Sequence, residues 1–161
     1  MRQNTTRRSR AGLLAFFVLL ALVGPWTRGR AAASDEDQIR EAVARYQVAK
    51  SEVKAEVYFL AIDGKDPSEA LLKRLADVSP PVKRKSLSKK TKDAFGTIVE
   101  AKTEKIGVLF EQGAIRRLSE TRVDVAGGYF CGGLCSASGT YHLELRDGRW
   151  VVAGFDAGAK P

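Results

Sequence analysis

Residues 121–155 read TRVDVAGGYFCGGLCSASGTYHLELRDGRWVVAGF, and this stretch decides the fold. It holds both cysteines, the one histidine and one of the two tryptophans of the chain. Asp147-Gly148 stands between two alternating runs, and a two-residue Asp-Gly loop marks a type I′ hairpin, whose central residues both need positive φ. Such a turn sets Arg146 opposite Arg149, Leu145 opposite Trp150 and Leu143 opposite Val152. Successive strand side chains point to opposite faces. Tyr141, Leu143, Leu145, Trp150 and Val152 therefore share an apolar, core-facing side, with His142, Glu144, Arg146, Arg149 and Val151 on the other. Upstream, the same alternation puts Val123, Val125, Tyr129 and Cys131 together. Gly127-Gly128 predicts a bulge or sharp bend in that strand, and Gly132-Gly133 predicts a turn. The stretch reads as a three-stranded meander.

At the other end of the chain, Arg2, Arg7, Arg8 and Arg10 precede an apolar or small-residue run over 11–24, and Ala31-Ala32-Ala33 supplies an A-x-A cleavage site. That is a signal peptide over residues 1–33. The run is shorter than the ~20 residues of a membrane span, so no span is expected after cleavage, and the localisation is secreted or periplasmic. No cysteine follows the run, which excludes lipoprotein processing. Arg7-Arg8 raises twin-arginine export, Ser9-Arg10-Ala11 fits that motif poorly, and the route stays open between it and general secretion. The full sequence has 27 Lys and Arg against 19 Asp and Glu, a net charge of +8. Residues 1–33 hold six arginines and no acid, so the remainder has 21 cations against 19 anions, or +2. The basic balance that would point to nucleic acid belongs mostly to the leader, and nucleic acid is not expected as a partner. Residues 34–161 suffice for a single domain with its own core.

Ser34, followed by Asp35-Glu36-Asp37, opens a helix with a capping oxygen and acidic residues in the first turn. Ile39, Val43, Tyr46, Val53, Val57 and Leu60 recur at helical steps, with Lys50 in one expected slot, which predicts an amphipathic helix over about 35–55. Its end is open, because VYFLAI at 57–62 also reads as a short buried strand; Asp63-Gly64 breaks either. Asp66-Pro67-Ser68-Glu69 starts a second helix with Asp66 as the cap. Leu71, Leu72 and Leu75 form its apolar side, and Ser79-Pro80-Pro81 ends it. Next comes a basic run of six cations, Lys83, Arg84, Lys85, Lys89, Lys90 and Lys92. It reads either as a patch for an anionic partner such as an envelope polymer or lipid headgroups, or as a solvated edge kept soluble by lysine. The second reading is preferred. Residues 98–99 and 106–110 look strand-like around a charged connection. Gly113 marks a bulge beyond which 114–118 resume one long, bent strand.

Helices followed by a run of strands predict an α+β class, with N-terminal helices packed on a bent, largely antiparallel sheet. A long first helix, smaller helices and late strands ending in GRWVV resemble the nuclear-transport-factor-like, or cystatin-like roll, superfamily. Residues 57–75 and 123–152, with VAGGYFCGGLC followed by YHLELRDGRWVV, are similar to small exported bacterial proteins carrying such a domain. The resemblance implies a cone of sheet wrapped by helix. Its cavity serves ligands in some members and catalysis or protein pairing in others. Fold by itself does not choose among these.

The chemical residues are few. Cys131 and Cys135 are the two cysteines of a chain read as exported, which favours one disulfide. In a straight strand positions i and i+4 lie ~13 Å apart, too far to bridge, and the glycines between them allow the fold-back. A zinc site would need two more ligands where only His142 is on offer, so no metal is expected. His142 and Glu144 form a possible acid–base pair, but their polar-face position favours a salt-linked surface ladder, and no catalytic residue is assigned. No nucleophile elbow, phosphate loop or dinucleotide fingerprint occurs, and no cofactor is expected. Tyr46, Tyr58, Phe59, Phe110, Tyr129, Tyr141 and Trp150 are core aromatics in the main. Tyr129 and Tyr141, nearest the glycines, are the pocket candidates. The expected function is an exported, non-catalytic binding module for a small ligand or a protein partner. The alternative is a small lyase, isomerase or hydrolase using the cavity, which requires a carboxylate or histidine projecting into it.

Overall fold

The computed structural model describes residues 34–158; the leader read over 1–33 lies outside the described residues. The elements are α1 (Asp35–Lys50), β1 (Val57–Ile62), α2 (Glu69–Arg74), β2 (Val82–Arg84), a 3-10 turn (Lys85–Leu87), β3 (Ser88–Lys90), β4 (Ile98–Glu100), β5 (Gly107–Ser119), β6 (Arg122–Gly132), β7 (Cys135–Arg146) and β8 (Arg149–Ala157). Six strands form one sheet in the order β2-β1-β5-β6-β7-β8, and β3 and β4 form a separate hairpin. The class is α+β.

The meander has the expected register. Asp147 and Gly148 sit at φ 50° and 72°, and Arg146 pairs with Arg149, Leu145 with Trp150 and Leu143 with Val152. Val123, Val125, Tyr141, Leu143 and Trp150 are buried together with Ile39 and Val43 of α1. Trp150 lies beneath the first turn of α1, its indole Nε1 donating to Asp35 Oδ1 at 2.5 Å. Asp35 also pairs with Arg117, and the two contacts, the indole bond foremost, hold its carboxyl below the usual range.

Four local expectations are corrected. α1 stops at Lys50, and 57–62 is a strand, so Val53, Val57 and Leu60 do not extend the helical stripe. Six consecutive apolar residues suit a strand covered on both faces, and β1 is one: it runs parallel to both β2 and β5. A strand thus lies between the two helices in sequence. The second helix is capped by Ser68, whose hydroxyl accepts from Leu71 N at 3.1 Å; Asp66 instead accepts from Ser86 N at 2.8 Å. Gly127-Gly128 makes no bulge, for β6 pairs in unbroken register with β7 through both glycines. The bulge is on β5, where Gly113 and Ala114, between Gln112 and Ile115, oppose the single residue Ala126 of β6.

The sheet is covered on both faces around β1 and β5. On the α1 side, Tyr58, Leu60, Val108, Phe110 and Cys131 pack with Ala44 and with Leu71 and Leu75 from α2 and its end. On the far side, Val57, Phe59, Ala61 and Leu109 pack with Ile98 of the β3–β4 hairpin. Arg40, buried to 4 % exposure, ties α1 to the β5 bulge by donating from Nη1 to Gly113 O at 2.5 Å. The basic run forms the β2 edge, the 3-10 turn and β3. Four of its cations face carboxylates: Lys83 with Glu100, Arg84 with Glu69, Lys85 with Glu111 and Lys89 with Glu104.

Candidate functional site

The last turns of α1 do not close onto the sheet. Between them, the Ser51–Val53 segment and strands β5 to β8 lies a cavity of about 440 Å³. Its walls are Tyr46, Gln47, Phe110, Tyr129, Tyr141 and Phe155, with Lys50 and Glu52 at the mouth. Glycines of the meander give room to two of the rings that line this chamber. A Cβ on Gly127 would meet Tyr141 Cε2 at 3.2 Å, and one on Gly139 would meet Phe155 Cζ at 2.9 Å. Bare backbone at those positions leaves room for both rings. The rings form a chain: Tyr46 meets Tyr141 edge-on at 5.9 Å between centroids, and Tyr141 tilts against Phe155 at 4.5 Å. Offset and edge contacts of this kind suit the ring quadrupoles.

One buried amide organises the polar atoms. Gln47, 4 % exposed, donates from Nε2 to Gly128 O at 3.0 Å and to Tyr141 Oη at 3.2 Å. Its Oε1 accepts from Gln112 Nε2 at 3.3 Å, and Gln112 Nε2 also donates to Arg40 O at 3.1 Å. Burial pushes the Tyr141 phenol pKa above its ordinary value, with the Gln47 bond opposing and the Tyr46 and Tyr129 phenols adding to the rise. Tyr141 is therefore a neutral phenol at physiological pH. A phenol that accepts from Gln47 still has its own hydrogen to donate.

Both aromatic pocket candidates from the sequence, Tyr129 and Tyr141, line this chamber. Gln47 and Gln112, which set its polar pattern, had not been singled out. A signal existed for Gln47: it stands one helical turn after Val43, on the side of α1 that packs against the sheet.

His142 and Glu144 are elsewhere. They alternate with Tyr141 and Leu143 and so face away from α1. They do not pair with each other. Glu144 accepts from Arg146 Nη2 at 2.8 Å, whereas His142 Nδ1 lies 2.7 Å from Asp124 Oδ1 and its Nε2 3.0 Å from Asp156 Oδ2. Asp124, whose side chain is 6 % exposed, also accepts from Arg116 at 2.6 Å. Two carboxylates, Asp124 foremost, raise the His142 pKa above its ordinary value. Burial alone would raise that of Asp124, but the bonds from His142 and Arg116 outweigh it and leave it lowered. A raised histidine pKa gives stability that is complete below the unfolded-state value and lost as pH rises through the folded value. A lowered aspartate pKa gives stability present above the unfolded value and lost as pH falls through the folded one. The expected result is that His142→Ala melts below the parent most clearly near about pH 5–6, with the gap shrinking towards about pH 9. A gap that is constant with pH, or that widens in alkali, would count against the ionic cluster.

The same outer face carries a wider trough of about 620 Å³, floored by small residues such as Ala126, Gly128, Ser138 and Thr140. Its floor presents backbone and hydroxyls rather than convergent buried side chains, which makes the aromatic chamber the better site.

Cys131 and Cys135 are joined in a disulfide with their Cα atoms 5.3 Å apart, closing the Gly132–Leu134 turn and packing against Tyr58 and Phe110. Such a bond fits an oxidising, extracytoplasmic compartment. Among the described residues, no cluster of His, Cys, Asp and Glu is arranged to hold a metal ion, and no helix is long and apolar enough to cross a membrane. No protein-family model, curated protein or solved structure matches the chain.

Proposed function

We propose that the chain is an exported, non-catalytic binding module, built as a nuclear-transport-factor-like roll, whose chamber takes a small, largely apolar ligand or an apolar side chain of a protein partner. The observation that carries this reading is the composition of the chamber wall. Its interior is aromatic, with one oriented amide and phenol hydroxyls, and its charged lining groups, Lys50 and Glu52, are exposed at the mouth. An apolar cavity with a few placed polar groups suits recognition. Catalysis of the lyase or isomerase kind needs an acid or base within reach of the substrate, and His142 faces the opposite side of the sheet. Laying α1 over a bulged sheet with a chamber under its C-terminal end supports the roll reading. The disulfide, together with the apolar run ahead of Ala31-Ala32-Ala33, supports export.

A neutral fluorescent probe, N-phenyl-1-naphthylamine, tests the chamber. Enhanced emission is expected with the folded protein, and Val53→Trp at the mouth should weaken binding by about tenfold, the equivalent of ~1.4 kcal/mol. Absence of binding to the folded protein, or a Val53→Trp variant that stays folded and binds equally well, would remove the reading.

A further inference from the structure

Two large apolar side chains stand in water at one end of the molecule. Leu134, in the turn between β6 and β7, is fully exposed, and Phe95, in the loop joining β3 to β4, is 71 % exposed. Their loops are neighbours: a Cβ on Gly133, next to Leu134 in sequence, would lie 3.2 Å from Phe95 Cδ1. The backbone beneath them is fixed. Asp93 Oδ1 accepts from Phe95 N and Gly96 N, both at 2.9 Å, and Gly133 N donates to Phe95 O. Gly132, at φ +128°, lies so close to the β3–β4 loop that a Cβ would meet Thr97 Cα at 2.7 Å. The Cys131–Cys135 bond closes the turn from below.

The segment that carries Phe95 has a net positive charge, with Asp93 as the acidic residue of the loop itself. Residues 83–105 hold eight cations against three anions, a net +5, while the rest of 34–158 holds 12 against 16, a net −4. Within that segment, Lys83, Arg84, Lys85 and Lys89 face carboxylates, and Lys90 and Lys92 precede Phe95 in sequence. Lys90 is exposed, with its Nζ 4.2 Å from the centroid of the Phe130 ring.

We propose that this tip docks the protein on an anionic lipid surface, with Phe95 and Leu134 entering the headgroup region and Lys90 and Lys92 meeting the phosphates. Neither feature has the same use with another occupant. A soluble polyanion would engage the lysines and leave the apolar pair in water. A stable protein interface needs an area far larger than two side chains. An apolar wedge beside cations is what an interfacial anchor combines, and each lysine near an anionic surface strengthens attachment about fivefold. The proposal is independent of the chamber reading, since it rests on a different part of the surface.

The test uses the full chain with vesicles of phosphatidylcholine and phosphatidylglycerol at roughly 7:3, read by sedimentation and by hydrogen exchange. Residues 91–97 and 132–135 should gain protection on anionic vesicles and not on phosphatidylcholine alone, and about 0.5 M salt should weaken binding. Phe95→Ser with Leu134→Ser should abolish the local protection, and Lys90→Glu with Lys92→Glu should weaken binding by about tenfold or more. Unchanged melting of the variants shows that folding is intact. Hydrogen exchange locates the contact whatever residues 1–33 do. Binding without protection at the tip, protection that survives the Phe95/Leu134 change, or capture by soluble polyglutamate but not by vesicles would each overturn the proposal.

Discussion

Trp150→Ala is expected to destabilise the protein by about 3–5 kcal/mol, a large part of the ~5–15 kcal/mol that holds a small domain folded. The indole is 6 % exposed, packed with Ile39, Val43, Val123 and Leu143, and it donates to Asp35. Truncation opens a cavity under α1 and removes the bond that fastens the helix start to the sheet. Arg149→Ala, one residue away on the exposed face, should change stability by no more than about 0.5 kcal/mol. Urea melts of both variants check the contrast. A one-residue slip of β8 would exchange the two environments, so equal effects, or a larger loss at Arg149, would refute the register.

Phe59→Ala should be comparably costly, about 3–5 kcal/mol, for a reason on the opposite side of the sheet. Phe59 is fully buried on the far face of β1, among Val57, Ala61, Ile98 and Leu109. Its ring occupies the space beside Gly107, where a Cβ would come within 2.6 Å of Phe59 Cε2. The variant should therefore both unfold at lower urea and loosen the β3–β4 hairpin, seen as faster amide exchange over residues 88–100. A loss under about 1 kcal/mol with unchanged exchange would mean that the hairpin does not cover this face.

Much of the meander was legible because its determinants are local. A two-residue turn demanding positive φ at Asp147 and Gly148 sets the register, and alternation then sorts the faces without knowledge of anything distant. The start of α1 was legible for the same reason: Ser34 accepts from Asp37 N at 3.1 Å, three residues along. Gly127-Gly128 misled because a glycine pair is equally the mark of a bulge and of close strand approach. Here an added Cβ would strike Glu111 O or Ala137 O, and the bulge is on the facing strand instead. At the candidate site, Tyr129 and Tyr141 were recognisable from their nearness to the glycines, whereas Gln47 belongs to it only because residues 65 and 94 positions away supply its partners.

By itself, then, the sequence determined the Asp147-Gly148 hairpin, the start of the first helix, the α+β class and the pairing of the only two cysteines, all of which follow from interactions within a few residues or from simple counting. Tertiary structure alone decided that VYFLAI is a strand rather than a helical turn, since both periods fit six apolar residues until parallel neighbours satisfy the backbone. It also decided that His142 joins Asp124 and Asp156 rather than Glu144. Residues two apart on one strand point the same way, about 7 Å apart along it, whereas strands on either side bring carboxylates within hydrogen-bond reach.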